Sequence, residues 1–248
     1  MLNRAFWLQF STPKTFYPVA GKMIPVFMVL AVLSGVIGLY LSFFETPRVA
    51  GLQKEAYHII FVHVAASWMS MFIYMIMGGY AMLGFILKAR LSGMMASALA
   101  PTGAMMTFIA LITGIIWGRA AWNPNFTWTP DPRLMTELVL FFLYMGFILL
   151  QVVIDDARRA MRAGAILAIV GVVFLPLIFF AVKLPTIHQP ANIRPGHTMP
   201  VVSVVAMLVM VFSFWMYSIA ASLMRVRAIM LEQEKRTAWV QQLLGAKT

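Results

Sequence analysis

The chain contains no cysteine and only 8 acidic residues among its 248. Without cysteine it can form neither a disulfide nor a thiolate–metal bond, so any bound metal depends on histidine, methionine or oxygen ligands. It also lacks the glycine-rich loop followed by Lys-Ser or Lys-Thr that holds nucleotide phosphates, which excludes ATP hydrolysis by that route. Any use of ATP therefore belongs to a partner protein.

Charged side chains make up only 11% of the chain, whereas 62% of its residues are hydrophobic. Such a composition cannot cover a water-soluble globule with polar surface, so it indicates an integral membrane protein in contact with lipid. The formal net charge of +11 would also suit a nucleic-acid-binding protein, but the lysines and arginines lie between long apolar runs. There they orient helices toward the cytoplasmic leaflet, and we expect no nucleic acid as a partner.

Runs of about 20 apolar residues, long enough to cross ~30 Å of hydrocarbon, predict an all-α, six-helix transmembrane bundle. The first run is too long for the apolar region of a cleaved signal and is expected to be retained. Small residues at four-residue spacing in the third span, Ala110, Gly114 and Gly118, predict a close approach to a neighbouring helix. Residues 1–248 form a single predicted domain, with spans at 23–44, 59–87, 99–117, 134–154, 163–182 and 200–224.

The basic residues are distributed unevenly about these spans. If both termini are cytoplasmic, thirteen of the 19 basic residues lie on the inner side. The outer side holds only Arg48, Lys54, Arg119, Arg133, Lys183 and Arg194. Because positive residues are retained in the cytoplasm, this bias predicts that both termini are cytoplasmic. The tail at 224–248 is predicted to form a basic surface helix.

The outer connections are rich in aromatic residues, proline and histidine. The loop at 118–133 carries Trp122, Phe126 and Trp128, and three prolines exclude a regular helix through most of it. Aromatic residues of the ordinary membrane belt lie on helix ends, as Trp117 does, whereas these three rings lie in the connection itself. They therefore predict a contact surface for a planar apolar ligand or a partner.

All four histidines also fall on this outer side, at positions 58, 63, 188 and 197. His63 lies about one turn inside the second span, where an imidazole either bonds a neighbouring carbonyl or ligates a metal. His58 is about 140° away round the same helix and cannot share its inward face. Since the outer connections meet on one face, His63 and the loop residue His188 can approach a metal from opposite sides. Two imidazoles with flanking aromatic rings suit a porphyrin iron, whereas zinc needs more ligands at closer spacing.

Outer-side basic residues have two possible roles beside such a ligand. They can pair with porphyrin propionates or extend to the headgroups at helix ends, and they are Arg119, Arg133, Lys183 and Arg194. Glu137, one turn into the fourth span, is predicted to reach the interface or to pair with Arg133 four residues earlier. The many methionines are interpreted as lipid-facing or core residues.

These motifs resemble the CcmC family, haem-handling membrane proteins of cytochrome c maturation whose hallmark is a Trp-rich outer loop. That loop ends in an Asp-x-Arg-Leu segment, which stands here as Trp128-Thr-Pro-Asp131-Pro-Arg133-Leu, followed by Thr-Glu137-Leu. The two haem-ligand histidines of the family occur in a His-Val-x-Ala-x-Trp context, here His63 to Trp68, and in a Leu-His-Gln-like context, here Ile-His188-Gln. The resemblance covers nearly the whole chain.

The resemblance implies a protein that holds haem b at the periplasmic face of the bacterial inner membrane. His63 and His188 would be its axial ligands, with Trp122, Phe126 and Trp128 beside the haem. It implies delivery to a membrane-anchored haem chaperone rather than catalysis. It also implies as partners a small single-span protein, the ATPase and membrane subunits of an ABC transporter, and membrane lipid. Asp131 and Arg133 complete the implied site.

The sequence departs from the family pattern at two places. The family usually has a denser Trp-Trp-Val-Trp-Asp run where this chain has Thr-Trp128-Thr-Pro130-Asp131, and its second histidine is usually followed by glycine rather than Pro190. Fewer rings predict weaker stacking on a ligand, or a changed docking surface for the chaperone, but both candidate ligands are present.

Two other functions fit parts of the pattern. A membrane electron-transfer cytochrome b also uses two histidines, although these normally lie within the bilayer rather than in a proline-flanked loop. A solute transporter requires charges at the membrane midplane and broken helices, and the only charge within these spans is Glu137, near one end.

Overall fold

The computed structural model describes residues 12–47, 54–121, 131–181 and 199–245, which are almost entirely helical. Six helices of this described part are long and apolar enough to cross a membrane, which confirms the predicted all-α integral membrane fold. They are α1 (Pro13–Tyr40), α2 (Ile59–Leu87), α3 (Arg90–Ala121), α4 (Pro132–Val153), α5 (Ala157–Ala181) and α6 (Val201–Gln233). A short helix α7 (Ala238–Leu243) follows them.

Several helices extend beyond the apolar runs that predicted them. Helix α1 begins at Pro13, where Thr12 caps it by accepting a hydrogen bond from the Thr15 N–H at 3.4 Å. Helix α6 continues to Gln233, so residues 224–233 of the tail predicted as a basic surface helix prolong the last span instead. The physical reason is that hydropathy marks the part of a helix in hydrocarbon, whereas backbone hydrogen bonding continues into the interface.

Helices α2 and α3 form the centre of the bundle. Helix α6 packs against both of them on one side, and α4 and α5 pack against them on the other. Helix α1 packs mainly against α6, and the rest of its surface is apolar and exposed to the membrane. The central helices therefore bury the residues of the outer site, while α1 lies at the periphery.

Two glycines admit tyrosine side chains into the core. A Cβ at Gly103 would overlap the ring of Tyr144, and one at Gly171 would overlap the hydroxyl of Tyr74. Tyr144 donates a hydrogen bond of 2.7 Å to the backbone carbonyl of Ser70, which ties α4 to α2. The middle of the bundle thus holds polar groups between α2, α3, α4 and α5.

The first turns of α1 and the last turns of α6 lie at one end of the bundle. They share an apolar cluster that includes Phe16, Leu91, Val226 and Met230. The opposite end, termed here the outer end, contains the start of α2, the end of α3 and the start of α4. His63, Trp117 and Asp131 all lie there.

Candidate functional site

His63 of α2 is held against α3 through one ring nitrogen. Its Nδ1 atom lies 3.0 Å from the backbone carbonyl oxygen of Ala110 and 3.0 Å from the hydroxyl oxygen of Thr113. The Thr113 hydroxyl donates to the Ile109 carbonyl oxygen at 2.6 Å, so its oxygen is free to accept from the imidazole. Both contacts therefore require the hydrogen on Nδ1.

This arrangement determines the tautomer of His63. A carbonyl oxygen only accepts hydrogen bonds, so Nδ1 is the donor and the lone pair of the neutral ring lies on Nε2. No hydrogen bond within the described part of the chain engages Nε2. Metal-binding histidines commonly donate their other ring N–H to a carbonyl or carboxylate, which orients the ring for the metal. The neighbouring-carbonyl bond and a ligand role, posed above as alternatives, are thus compatible.

Gly114 makes room for this imidazole. A Cβ at Gly114 would lie 3.0 Å from Cε1 of His63 and 2.8 Å from Cδ2 of Leu134 in α4. The ring of Trp117, one turn further along α3, has its centroid 5.9 Å from that of His63. The predicted close approach of α3 at this small-residue stripe is confirmed, and its neighbours are the candidate ligand and the first turn of α4.

We expect Gly114→Ala to displace His63. If His63 is a haem ligand, as the family resemblance implies, haem binding should weaken by about tenfold, the lower end of the usual effect of residues that orient a ligand. The measurement is a titration of the protein with haem, monitored by absorption spectroscopy. Gly79→Ala is the matched control, since a Cβ there meets nothing within 4 Å. That control should bind haem as the unchanged protein does. If the Gly114 variant also bound haem with unchanged affinity, the contact between Gly114 and the His63 ring would not be what positions the imidazole.

His58 lies on a different side of α2 from the site. Its ring stacks on Phe43 of the π-helical turn that ends α1, with ring centroids 4.9 Å apart and planes 21° apart. His63 instead contacts α3. The two histidines thus face different neighbours, in agreement with their angular separation.

Asp131 and Arg133 form a closed unit at the start of α4. The Asp131 carboxylate caps the helix by accepting a hydrogen bond from the Arg133 N–H at 2.9 Å. It also accepts from Arg133 Nε at 3.0 Å and from Nη2 at 2.6 Å, a side-on bidentate pair. The two side chains are 6% and 18% exposed, so the pair is largely withdrawn from water. If a ligand carboxylate bound Arg133, the guanidinium of Arg133 would contact both that carboxylate and Asp131.

The charge state of Asp131 follows from the same contacts. Burial raises the pKa of this carboxyl, but hydrogen bonds and the positive charge of Arg133 outweigh burial, so the pKa lies below its ordinary value. A depressed pKa contributes stability that is present above the unfolded value, about 3.9, and is lost as the pH falls through the lower folded value. The pair is therefore fully formed at neutral pH.

Other predicted site residues lie outside the described residues. They are Trp122, Phe126, Trp128 and His188. Their roles stay predictions. The described part of the site consists of His63, its hydrogen-bond partners on α3, Trp117, and the Asp131–Arg133 pair.

The interpretation of Glu137 was wrong. Glu137 neither reaches the interface nor pairs with Arg133; it is 6% exposed, and it makes no ion pair with any described residue. The bidentate pair at Asp131 already engages Arg133, which is why the spacing of four residues was misleading. The hydrogen bonds of His63 to Ala110 and Thr113 could not be inferred from the sequence, because they join two different helices.

Comparison with known proteins identifies the family. The family model described as heme exporter protein C matches residues 6–241. The chain belongs to this family. It is 36% identical to heme exporter protein C of Escherichia coli K12 over 242 residues, which covers 95% of each chain. It is 32% identical to the proteins of that name from Haemophilus influenzae, over 96% of this chain and 97% of the relative, and Bradyrhizobium diazoefficiens, over 95% and 89%.

Family membership confirms the resemblance drawn from the Trp-rich loop and the two histidines. Together with the six apolar helices it makes this chain a multi-pass membrane protein that handles haem.

Proposed function

We propose that the protein binds haem b at the periplasmic face of the bacterial inner membrane and delivers it to a membrane-anchored haem chaperone during cytochrome c maturation. The observation that carries this proposal is the seat of His63 on α3. Its Nδ1–H is bound to the Ala110 carbonyl, which leaves Nε2 as the electron-pair donor. An axial haem ligand must donate an electron pair to the iron, and this nitrogen has one available.

The outer end of the bundle fits the rest of a haem site. His188, in the connection between α5 and α6, supplies the second imidazole in this proposal. The indole of Trp117 lies beside His63. In this proposal Trp122, Phe126 and Trp128 of the Trp-rich loop supply further rings for the haem. Haem bound there would supply a planar, redox-active iron complex, and the protein would supply the ligands and an aromatic surround.

The Asp131–Arg133 pair anchors the Trp-rich loop in this scheme. It fixes the residue at which the loop ends and α4 begins, and Leu134 of the next turn packs on Gly114 beside His63. The loop is thereby joined to the helix that orients the candidate ligand. A displacement of this junction would change the position of the aromatic rings relative to His63.

Placing the site at the rim rather than at the membrane midplane favours transfer over storage. A haem held near helix ends keeps one edge toward the periplasm, where the chaperone can reach it. In this scheme the chain is a binding and transfer protein rather than an enzyme. Its partners are the chaperone, a small single-span membrane protein, and the ATPase and membrane subunits of an ABC transporter.

Transfer can be tested with haem-loaded protein in nanodiscs and the separately purified soluble domain of the chaperone. We expect the haem absorption to leave the nanodisc fraction and to appear with the chaperone, and His63→Ala protein to transfer none. Rapid, reversible reduction by a quinol without transfer would support the electron-transfer cytochrome instead. Uptake of a solute into sealed vesicles would support a transporter.

A further inference from the structure

A buried acid lies deeper in the bundle than the proposed haem ligand. Glu137, on the second turn of α4, is 6% exposed, and its Oε1 atom has no hydrogen-bond partner among the described residues. The polar group against this carboxyl is the Ser70 hydroxyl of α2. A buried acid with one unsatisfied oxygen and no ion pair among the described residues is costly inside a membrane bundle, so it points to a function.

Glu137 is close to the outer site without touching the ligand. Leu134 and Glu137 are three residues apart and share one face of α4. Leu134 packs on Gly114, against which the His63 ring rests, so the acid lies one turn deeper on the same face. Within the described part of the chain, His63 forms its hydrogen bonds with α3 and none with Glu137.

Among the residues that the structure describes, positive charge is scarce around this carboxyl. Arg133, the nearest base along α4, is held by Asp131, and α3 carries arginine only at its two ends. The titratable groups of the elements packed around it are His63, Tyr74 and Tyr80 on α2, Arg90 and Arg119 on α3, Asp131, Arg133 and Tyr144 on α4, and Arg158, Arg159 and Arg162 on α5. None of these forms an ion pair with Glu137 within the part of the chain that the structure describes.

An ionised carboxylate is stable at such a place only when a positive charge is nearby. Haem iron with two neutral imidazoles changes charge by one on oxidation: the porphyrin dianion leaves the ferrous centre neutral and the ferric centre with one positive charge. The proposed site would therefore supply the missing charge in one oxidation state only.

We propose that Glu137 is an internal proton site coupled to the charge on the haem iron. It holds its proton while the iron is ferrous and releases it when the iron becomes ferric. The carboxyl O–H bond breaks and the proton passes to outer water, while one electron leaves the iron for a one-electron acceptor. Reduction reverses both transfers. This inference rests on the proposed haem function.

The first test is a redox titration of the haem-loaded full chain in nanodiscs, with one-electron mediators as acceptors, from about pH 6 to about pH 8. In the unchanged protein the midpoint potential should fall as pH rises, by up to about 59 mV for each tenfold drop in proton concentration. In Glu137→Gln the potential should stay at the acidic-limit value. Haem propionates titrate equally in both proteins, so the difference isolates Glu137.

The control variant is Glu45→Gln, which removes one exposed acid at the same end of the bundle. It should keep the slope of the unchanged protein. A second measurement needs no variant: infrared difference spectra should show the carbonyl stretch of a protonated carboxyl in the ferrous state that disappears in the ferric state.

The outcomes separate the two proposals. If the unchanged protein binds no haem, the proposed function fails. If it binds haem with the spectrum of two histidine ligands, but Glu137→Gln keeps the same slope or the infrared band does not respond to oxidation, the proton coupling is refuted and the haem function stands.

Discussion

Protein in which His63 and His188 are both changed to alanine is expected to lose its bound haem absorption. Alteration of a residue that merely orients a metal ligand costs ~10–100-fold in affinity, so loss of both ligands should exceed about 100-fold. The measurement is the absorption spectrum and haem content of the purified protein. His63→Ala alone should abolish the spectrum typical of two histidine ligands, because only one imidazole remains.

His58→Ala is the matched control for this experiment. It removes an imidazole from the same end of α2, but that ring stacks on Phe43 rather than facing α3. The control should keep its haem, and circular dichroism should show the same helix content in all variants. Full haem retention in the double variant would refute the ligand assignment.

Asp131→Ala is expected to destabilise the protein by about 3–5 kcal/mol, because it leaves the Arg133 guanidinium without its partner in a largely buried position. The change removes the cap of α4 at the same time. Thermal unfolding in detergent, followed by circular dichroism, measures the effect. We also expect weaker haem binding, since the junction of the Trp-rich loop with α4 is lost.

Asp156→Ala provides a control for the cap alone. Asp156 accepts a hydrogen bond of 2.8 Å from the Arg159 N–H near the start of α5, at an exposed position. Its loss should cost only about 1 kcal/mol, the usual effect of an N-cap. Equal destabilisation by the two changes would mean that the buried ion pair contributes nothing beyond capping.

The six spans could be predicted from the sequence because each crosses the membrane as an apolar run of sufficient length. Their ends could not. Pro13 begins α1 well before the apolar part, and α6 continues past its apolar part to Gln233. Caps and interfacial turns decide where a helix ends, and hydropathy is insensitive to both.

From the sequence, the candidate site could be predicted only as a set of residues, without the contacts between them. His63 was identified from its depth, and Asp131 and Arg133 from a motif, yet the bond of Asp131 to Arg133 and the burial of Glu137 appear only in the structure. The spacing of Arg133 and Glu137 on one helix predicted a pair between them. Arg133 instead bonds the carboxylate of Asp131, the residue that caps the helix and lies only two positions earlier.

Composition and linear pattern by themselves determined that the chain is a helical membrane protein with six apolar spans, and they predicted that its histidines lie on one side. These properties depend on the free energy of each segment in lipid or water, which is local along the chain. The packing of α2, α3 and α4 decided the rest: which nitrogen of His63 carries the hydrogen, why Gly114 must be small, and that Glu137 is buried with no ion pair to any described residue. Such properties arise from contacts between segments distant in sequence, so only the tertiary structure specifies them.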